Sequence, residues 1–232
     1  MANQGDVKTE PLPNTPPTIE VERKFTFTDS TEDKLQEQGA SLIQQKTFTD
    51  IYYDVPQYSL TLSDHWLRQR DGVWELKCPP ENPTTNDLSQ VTCQYAEHVT
   101  IPEIIAKCSA VLGLAIPTDS SMQEFLTSAQ CGQFATIKTE RKSYSLNEFS
   151  VDLDTADFGF RVGEIEVLVL EENKIADALS RIDMLAKTLG VGESKKLPGK
   201  LSAYLQRFRP EHYKTLLQHE IIPEVRDEHF FC

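Results

Sequence analysis

No stretch of the 232-residue chain approaches the ~20 consecutive apolar residues that a membrane-spanning helix needs, so no membrane partner is expected. A basic excess is missing as well. The 23 Lys and Arg are outnumbered by 36 Asp and Glu, giving a net charge of −13. That excludes the broad cationic footprint required for nucleic-acid backbones and anionic membranes. Cysteine is scarce and irregularly spaced: Cys78, Cys93, Cys108, Cys131 and Cys232 are odd in number and contain no closely spaced zinc or redox pair. With no secretory leader in view, they are expected to be reduced thiols in a cytoplasmic protein. Common catalytic signatures are absent. Pro198-Gly199-Lys200 lacks the earlier glycine and the preceding strand of a phosphate loop. There is no Gly-x-Ser-x-Gly elbow, and the histidines form no zinc-binding helical motif. No internal repeat or low-complexity segment divides the chain, and no apolar stripe is left over for an oligomer interface, so a monomer is expected.

What is present is ordinary globular composition, 39% hydrophobic and 25% charged, in a chain long enough to bury a full core. Residues 1–17, rich in Pro, Thr and Asn, read as a disordered lead-in. Residues 18–215 read as one domain and 216–232 as a tail. Alternation predicts a first strand over Thr18–Thr28, and Ser30 with Asp33 suggests a capping box for a short helix over 31–39. Further strands are predicted at Ser41–Asp54, at 60–70 and 73–78 joined by an Asp71-Gly72 turn, and at about 91–100, 133–146, 149–155 and 160–170. Residues 79–90 read as a loop. Helices are predicted at 102–129 in two pieces broken near Pro117, at 174–189, and from Lys200 to Pro210. The class is α+β. So many antiparallel strands favour a closed eight-stranded tunnel, which leaves no exposed edge, with helices packed outside.

The strands carry a consistent pattern of charge on one face and apolar bulk on the other. Glu20, Glu22 and Lys24 share a face. So do Trp66, Arg68 and Arg70, Glu75 and Lys77, Asp152 and Asp154, and Glu164 and Glu166. Taken singly, each resembles the solvated face of an antiparallel sheet. Together they imply otherwise. The helices need an apolar surface to cover, so the charged faces turn inward, and a charged interior requires a charged occupant to offset desolvation. The candidate cations are Lys24, Arg68, Arg70, Lys77, Arg141 and Lys200. The candidate carboxylates are Glu20, Glu22, Glu97, Asp152, Glu164 and Glu166. Cations grip phosphate oxygens, and clustered carboxylates hold hard divalent metals, so the combination suits metal-assisted phosphoryl transfer. Trp66 beside two arginines is a structural tryptophan or a platform for a flat or cationic ring.

Glu20-Val21-Glu22-Arg23-Lys24 matches the Glu-x-Glu-x-Lys signature of the triphosphate tunnel metalloenzymes, the CYTH superfamily. Asp64-His65-Trp66-Leu67-Arg68, Trp74-Glu75-Leu76-Lys77-Cys78-Pro79, the run from Val151 to Gly159, and Tyr204 to Pro210 resemble its thiamine triphosphatase branch. The resemblance covers about residues 18–215. It implies an eight-stranded tunnel that hydrolyses thiamine triphosphate with Mg²⁺. Lys24, Arg68, Arg70, Lys77, Arg141 and Lys200 would then grip the triphosphate, and Trp66 would contact the thiamine. Glu20, Glu22, Asp152, Glu164 and Glu166 would form the metal and water-activating set, and Tyr52 would sit beside Lys24. Glu20, Glu22, Lys24, Tyr52 and Lys77 are the catalytic candidates. Glu97 follows a segment unlike the family pattern. Arg141 could exchange places with Lys142 by a one-residue slip, which would turn the side chain to the other face. An inorganic triphosphatase or another nucleoside triphosphatase on the same tunnel, a non-catalytic polyphosphate-binding module and an adenylyl cyclase of the same superfamily remain as alternatives.

Overall fold

The computed structural model describes residues 19–79, 95–191, 197–222 and 224. The expected lead-in 1–17, the loop at 80–90, Cys93, Cys232 and nearly all of the chain after Ile222 lie outside them. Eight strands form one antiparallel sheet: β1 (Ile19–Phe25), β2 (Ser41–Asp54), β3 (Trp66–Arg70), β4 (Val73–Cys78), β5 (Ala96–His98), β6 (Gly132–Leu146), β7 (Phe149–Ala156) and β8 (Arg161–Val169). The spatial order is β1-β8-β7-β6-β2-β3-β4-β5. No ladder joins β1 to β5 among the described residues. The sheet curls, and Lys77 of β4 reaches Glu20 of β1 at 3.4 Å, so the seam is bridged by side chains.

Seven α-helices accompany the sheet among the described residues: α1 (Ser30–Glu37), α2 (Ser59–Leu62), α3 (Ile101–Leu112), α4 (Met122–Ser128), α5 (Ile175–Leu189), α6 (Lys200–Phe208) and α7 (Pro210–Gln218). None is long and apolar enough to cross a membrane. The outer sheet face supplies most of the core. Val21, Phe25, Val151, Leu153, Ile165 and Val167 pack under α1 and α5 through Leu35, Ala178, Ile182 and Ala186. Leu67 and Leu76 pack under α2, α3 and α4 through Leu60, Ile104, Ile105 and Phe125.

Helix α6 departs from the expected outer layer. Its Leu201, Ala203 and Tyr204 pack with Tyr52, Ala135, Ile137, Ala156, Phe160 and Val162. By alternation, Tyr52, Ile137, Ala156 and Val162 lie on the strand faces that carry Asp50, Arg141, Asp154 and Glu164. The concave face therefore changes from charged to apolar toward one end, and α6 plugs that end. The physical reason is the sequence of the helix: it needs apolar partners, and the lumen's apolar rungs offer them.

Three other local readings differ from expectation. Residues 59–65 form α2 and a turn rather than strand, because the Asp54 carboxylate accepts the Leu60 and Thr61 backbone N–H groups at 3.0 and 2.9 Å. Helix α1 starts after Asp29 with no side-chain cap, and Ser30 bonds to Thr28 instead. The reciprocal capping box belongs to Ser121 and Glu124 at α4. Pro210 opens α7 rather than only ending α6, as suits a residue without a backbone N–H. The ordered structure also passes the boundary at 215, since Leu216 is fully buried. Cys78 and Cys108 are buried and Cys131 is half-buried.

Candidate active site

The curled sheet encloses a cavity of about 500 Å³ whose wall includes Glu20, Glu22, Lys24, Tyr52, Trp66, Arg68, Arg70, Lys77, Glu97, Arg141, Glu164, Glu166 and Lys200. Asp152 lies behind this wall, paired with Arg141. The ladders decide which charges meet. Arg70 stands directly opposite Asp50 and donates to both of its oxygens at 2.7 and 3.0 Å. Arg68 faces Glu75 and donates its Nε–H at 2.7 Å. Arg141 faces Asp154 and donates to Oδ1 and Oδ2, both at 2.7 Å. Lys77 faces Glu97 at 2.7 Å. Lys24 faces Glu164 at 3.4 Å and also pairs with Glu22. Lys200 enters from the first turn of α6 and pairs with Asp154. Two-point Arg–carboxylate pairs fix the guanidinium plane, so the cations are aimed before any ligand arrives.

In one region of the cavity carboxylates crowd together, and Glu166 among them has no cationic partner among the described residues. Glu22 stands directly opposite Glu166 across the β1–β8 ladder. Glu166 shares a hydrogen bond with Glu20. Burial first, then the charges of Glu20 and Asp152, push the Glu166 carboxyl up to about 8. Burial also raises Glu20; Lys77 opposes this and Glu22 and Glu97 add to it. Burial raises Asp152 against the pull of Arg141. Glu164 behaves differently. Burial alone would raise it, but Lys24, Lys200 and Arg141 outweigh burial and hold it below the usual carboxylate range.

Tyr52 is buried at the edge of the α6 plug. Its hydroxyl oxygen accepts a hydrogen bond from Arg68, and burial raises its phenol. Arg141 points into the cavity, and Lys142 turns outward to Glu32 at 2.7 Å. Glu97 reaches the rim, with 45% of its side chain exposed.

The sequence reading passed over several participants. Asp50 shares the inner face of β2 with Phe48 and Tyr52, a signal legible by period two. Phe48 is 2% exposed, and the Arg70, Arg141 and Lys200 cations lie 4.3, 5.4 and 5.5 Å from its ring centre. Tyr95, alone before β5, gave no periodic signal. Its hydroxyl and the Trp66 indole N–H both donate to Asp64 Oδ1, at 2.9 and 2.7 Å.

Among the described residues, no three Asp, Glu, His or Cys side chains stand close enough together to hold a metal ion as placed. The donor chemistry nevertheless fits a hard divalent cation. Every acidic group at the site offers oxygen, Glu166 has no cationic partner among the described residues although it shares a hydrogen bond with Glu20, and the buried Asp152 Oδ1 has no hydrogen-bond partner.

Fold and site together define a curled eight-stranded antiparallel sheet whose concave face gathers cations beside carboxylates. The chain belongs to the CYTH domain family, whose model matches residues 18–199. Proteins named thiamine-triphosphatase from Macaca fascicularis and Homo sapiens are each 41% identical over 210 residues, covering 86% of this chain and 90% of theirs. The fold recurs in the PH1819 protein of Pyrococcus horikoshii, with TM-score 0.56, 19% identity, and coverage of 81% of this chain and 99% of that one. It recurs too in a putative adenylate cyclase of Vibrio parahaemolyticus, with TM-score 0.57, 18% identity, and coverage of 82% and 99%.

Proposed function

We propose that this protein hydrolyses thiamine triphosphate to thiamine diphosphate and phosphate with Mg²⁺. The observation that carries the reading is the lumen itself, where six cations and a cluster of carboxylates line one cavity. The 41% identity to the two thiamine-triphosphatases supplies the substrate. A pure anion-binding module would gain nothing from acids beside its ligand.

A triphosphate carries roughly four negative charges near neutral pH, which Lys24, Arg68, Arg70, Lys77, Arg141 and Lys200 offset. Arg68, Arg70 and Arg141 are pre-aimed by their carboxylate partners, so ordering them costs little at binding. Glu20, Glu22, Asp152, Glu164 and Glu166 would hold the Mg²⁺, which supplies charge neutralisation at the phosphate oxygens. The carboxylates orient the water in line with the terminal phosphorus, and a carboxylate takes its proton. The lysines and arginines stabilise the charge that develops on the departing diphosphate. Lys77, tied to Glu20 and Glu97, and Tyr52, bonded to Arg68, hold this geometry. Trp66, at the cavity wall, receives the cationic thiazolium ring.

We further infer one catalytic domain, beginning at residue 18 and including α7 and Ile222, in a cytoplasmic monomer without nucleic-acid or membrane partners. A phosphate-release panel with thiamine triphosphate, tripolyphosphate and ATP, each with Mg²⁺ and with chelator, tests the reading. Fastest release from thiamine triphosphate, abolished by chelation, is the expected result. Release from none of the three overturns it. Preference for tripolyphosphate, or cyclic AMP from ATP, replaces it.

A further inference from the structure

Asp64 lies in the turn between α2 and β3 with a φ of +58°. Its backbone is held in that left-handed state by the Asp64 N–H donating to Thr61 O at 3.0 Å and the His65 N–H donating to Leu60 O at 2.9 Å. An aspartate there accepts unfavourable backbone geometry. The geometry has a consequence at the cavity. A single carboxylate oxygen, Oδ1, takes both the Trp66 indole N–H and the Tyr95 hydroxyl.

The two donors come from distant parts of the chain, and both rings line the cavity, whereas Asp64 itself does not. Trp66 packs with Leu201, Ile221 and Ile222, which also line the cavity, while Lys77 stands opposite it across the β3–β4 ladder. The phosphate-gripping cations Arg68 and Arg70 lie further along the same face of β3 as Trp66. The wall therefore sets two oriented rings and apolar side chains for a flat group directly beside the cations that grip phosphate. An anionic acceptor on the indole N–H also leaves the indole face more negative, which strengthens its attraction for a cation.

We propose that Asp64 is a positioning residue for substrate choice: it fixes Trp66 and Tyr95 as two walls of a ring subsite and so favours a triphosphate carrying a flat cationic ring over a bare polyphosphate. This rests on the reading that Trp66 receives the ring. Asp64 touches no substrate, so its effect falls on recognition of the ring and leaves the phosphate chemistry alone.

The test uses the full chain with Mg²⁺ and compares kcat and KM for thiamine triphosphate and tripolyphosphate in wild type, Trp66→Ala, Asp64→Gly and Asp64→Asn. Glycine adopts a positive φ readily, so Asp64→Gly removes the carboxylate without straining the turn. Asn also tolerates this backbone and keeps an acceptor oxygen. Asp64→Gly is expected to raise KM for thiamine triphosphate about tenfold, with kcat and the tripolyphosphate constants within about twofold of wild type. Asp64→Asn is expected to recover most of the loss. A thiamine triphosphate KM unchanged in Asp64→Gly, or equal losses on both substrates, overturns the proposal. If Trp66→Ala loses thiamine triphosphate selectively and Asp64→Gly does not, only the Asp64 inference fails. If Trp66→Ala shows no selectivity, the ring-platform reading fails and the Asp64 inference fails with it.

Discussion

Glu20 and Glu166 share a hydrogen bond between carboxyl groups inside the cavity, on neighbouring strands β1 and β8. Two buried carboxylates this close repel unless a proton or a cation joins them. The arrangement therefore trades stability for a site that attracts a positive ion. Glu166→Gln keeps nearly the same shape and removes the ionisable group, whose carboxyl is pushed up to about 8 by burial and by Glu20 and so ionises only at a cost in the folded chain. The variant is expected to melt about 2–4 °C higher than wild type without metal, as relief of roughly 1 kcal/mol implies. It should also lose most of the stabilisation by added Mg²⁺. Phosphate release should fall about 100-fold, equivalent to roughly 3 kcal/mol of barrier. Melting curves with and without Mg²⁺, paired with initial rates, check all three.

Phe48 is an aromatic ring amid cations. Arg70 lies 4.3 Å from its centre and Lys200 5.5 Å, and the ring offers both its negative face. Phe48→Leu keeps an apolar side chain but removes that face. With cation–π contacts contributing about 0.5–2 kcal/mol when partly desolvated, KM for tripolyphosphate should rise about five- to tenfold. The melting temperature should drop by about 2–4 °C. An unchanged KM would reduce Phe48 to a filler of volume.

Much of this arrangement could be read from alternation alone. Period two put Glu20, Glu22 and Lys24 on one face, and the ordered β2 runs over the expected Ser41–Asp54. Asp71 and Gly72 turn with φ of +46° and +90°, as an Asp-Gly hairpin requires. Alternation gives faces but not register, so it could not pair Arg70 with Asp50 or set Glu22 opposite Glu166. The amphipathic pattern of α6 was legible, yet nothing local distinguishes a helix on the convex side from one plugging the lumen. Ser121 and Glu124 did carry a readable capping signal, while the similar spacing at Ser30 and Asp33 forms no cap, because Ser30 is already inside the first turn. Tyr95 and Asp64 meet only through tertiary structure.

His212 makes the fold acid-sensitive from outside the cavity. It is 2% exposed, stacked on Tyr58 at 3.7 Å between ring centres, with Phe134 at its edge. The Thr61 hydroxyl donates to Asp54, so His212 Nε2–H must donate to Thr61, and the buried Nδ1 has no partner. Burial, assisted by Arg209, pulls the imidazole down to about 4 from an ordinary 6.5. Above pH 6.5 the ring is neutral in both folded and unfolded chains. Between 6.5 and 4 the unfolded chain takes up a proton that the folded one refuses, so this contribution to stability falls, by about 3 kcal/mol in all. His212→Phe should lose about 1 kcal/mol at pH 7.5 through the missing bond to Thr61, yet decline less toward pH 4. Urea midpoints across that range provide the comparison.

Gly163 of β8 lies directly opposite Phe25 of β1, and the fully buried Phe25 ring occupies the space a Cβ at Gly163 would need. Gly163→Ala therefore forces the ring or the strand to move, at a cost of about 1–3 kcal/mol. The next rung of the same ladder pairs Glu164 with Lys24 at 3.4 Å, inside the cavity. A displaced rung should thus reach the chemistry. The melting temperature is expected to fall by about 5 °C. kcat/KM should fall to the same degree on thiamine triphosphate and tripolyphosphate, because the disturbed groups grip phosphate and not the ring. Adding Phe25→Leu to Gly163→Ala makes room for the new methyl. Both the stability and the two activities should then recover in part, a coupling that independent sites do not show. Recovery of stability alone would separate the packing of β1 on β8 from the placement of Lys24.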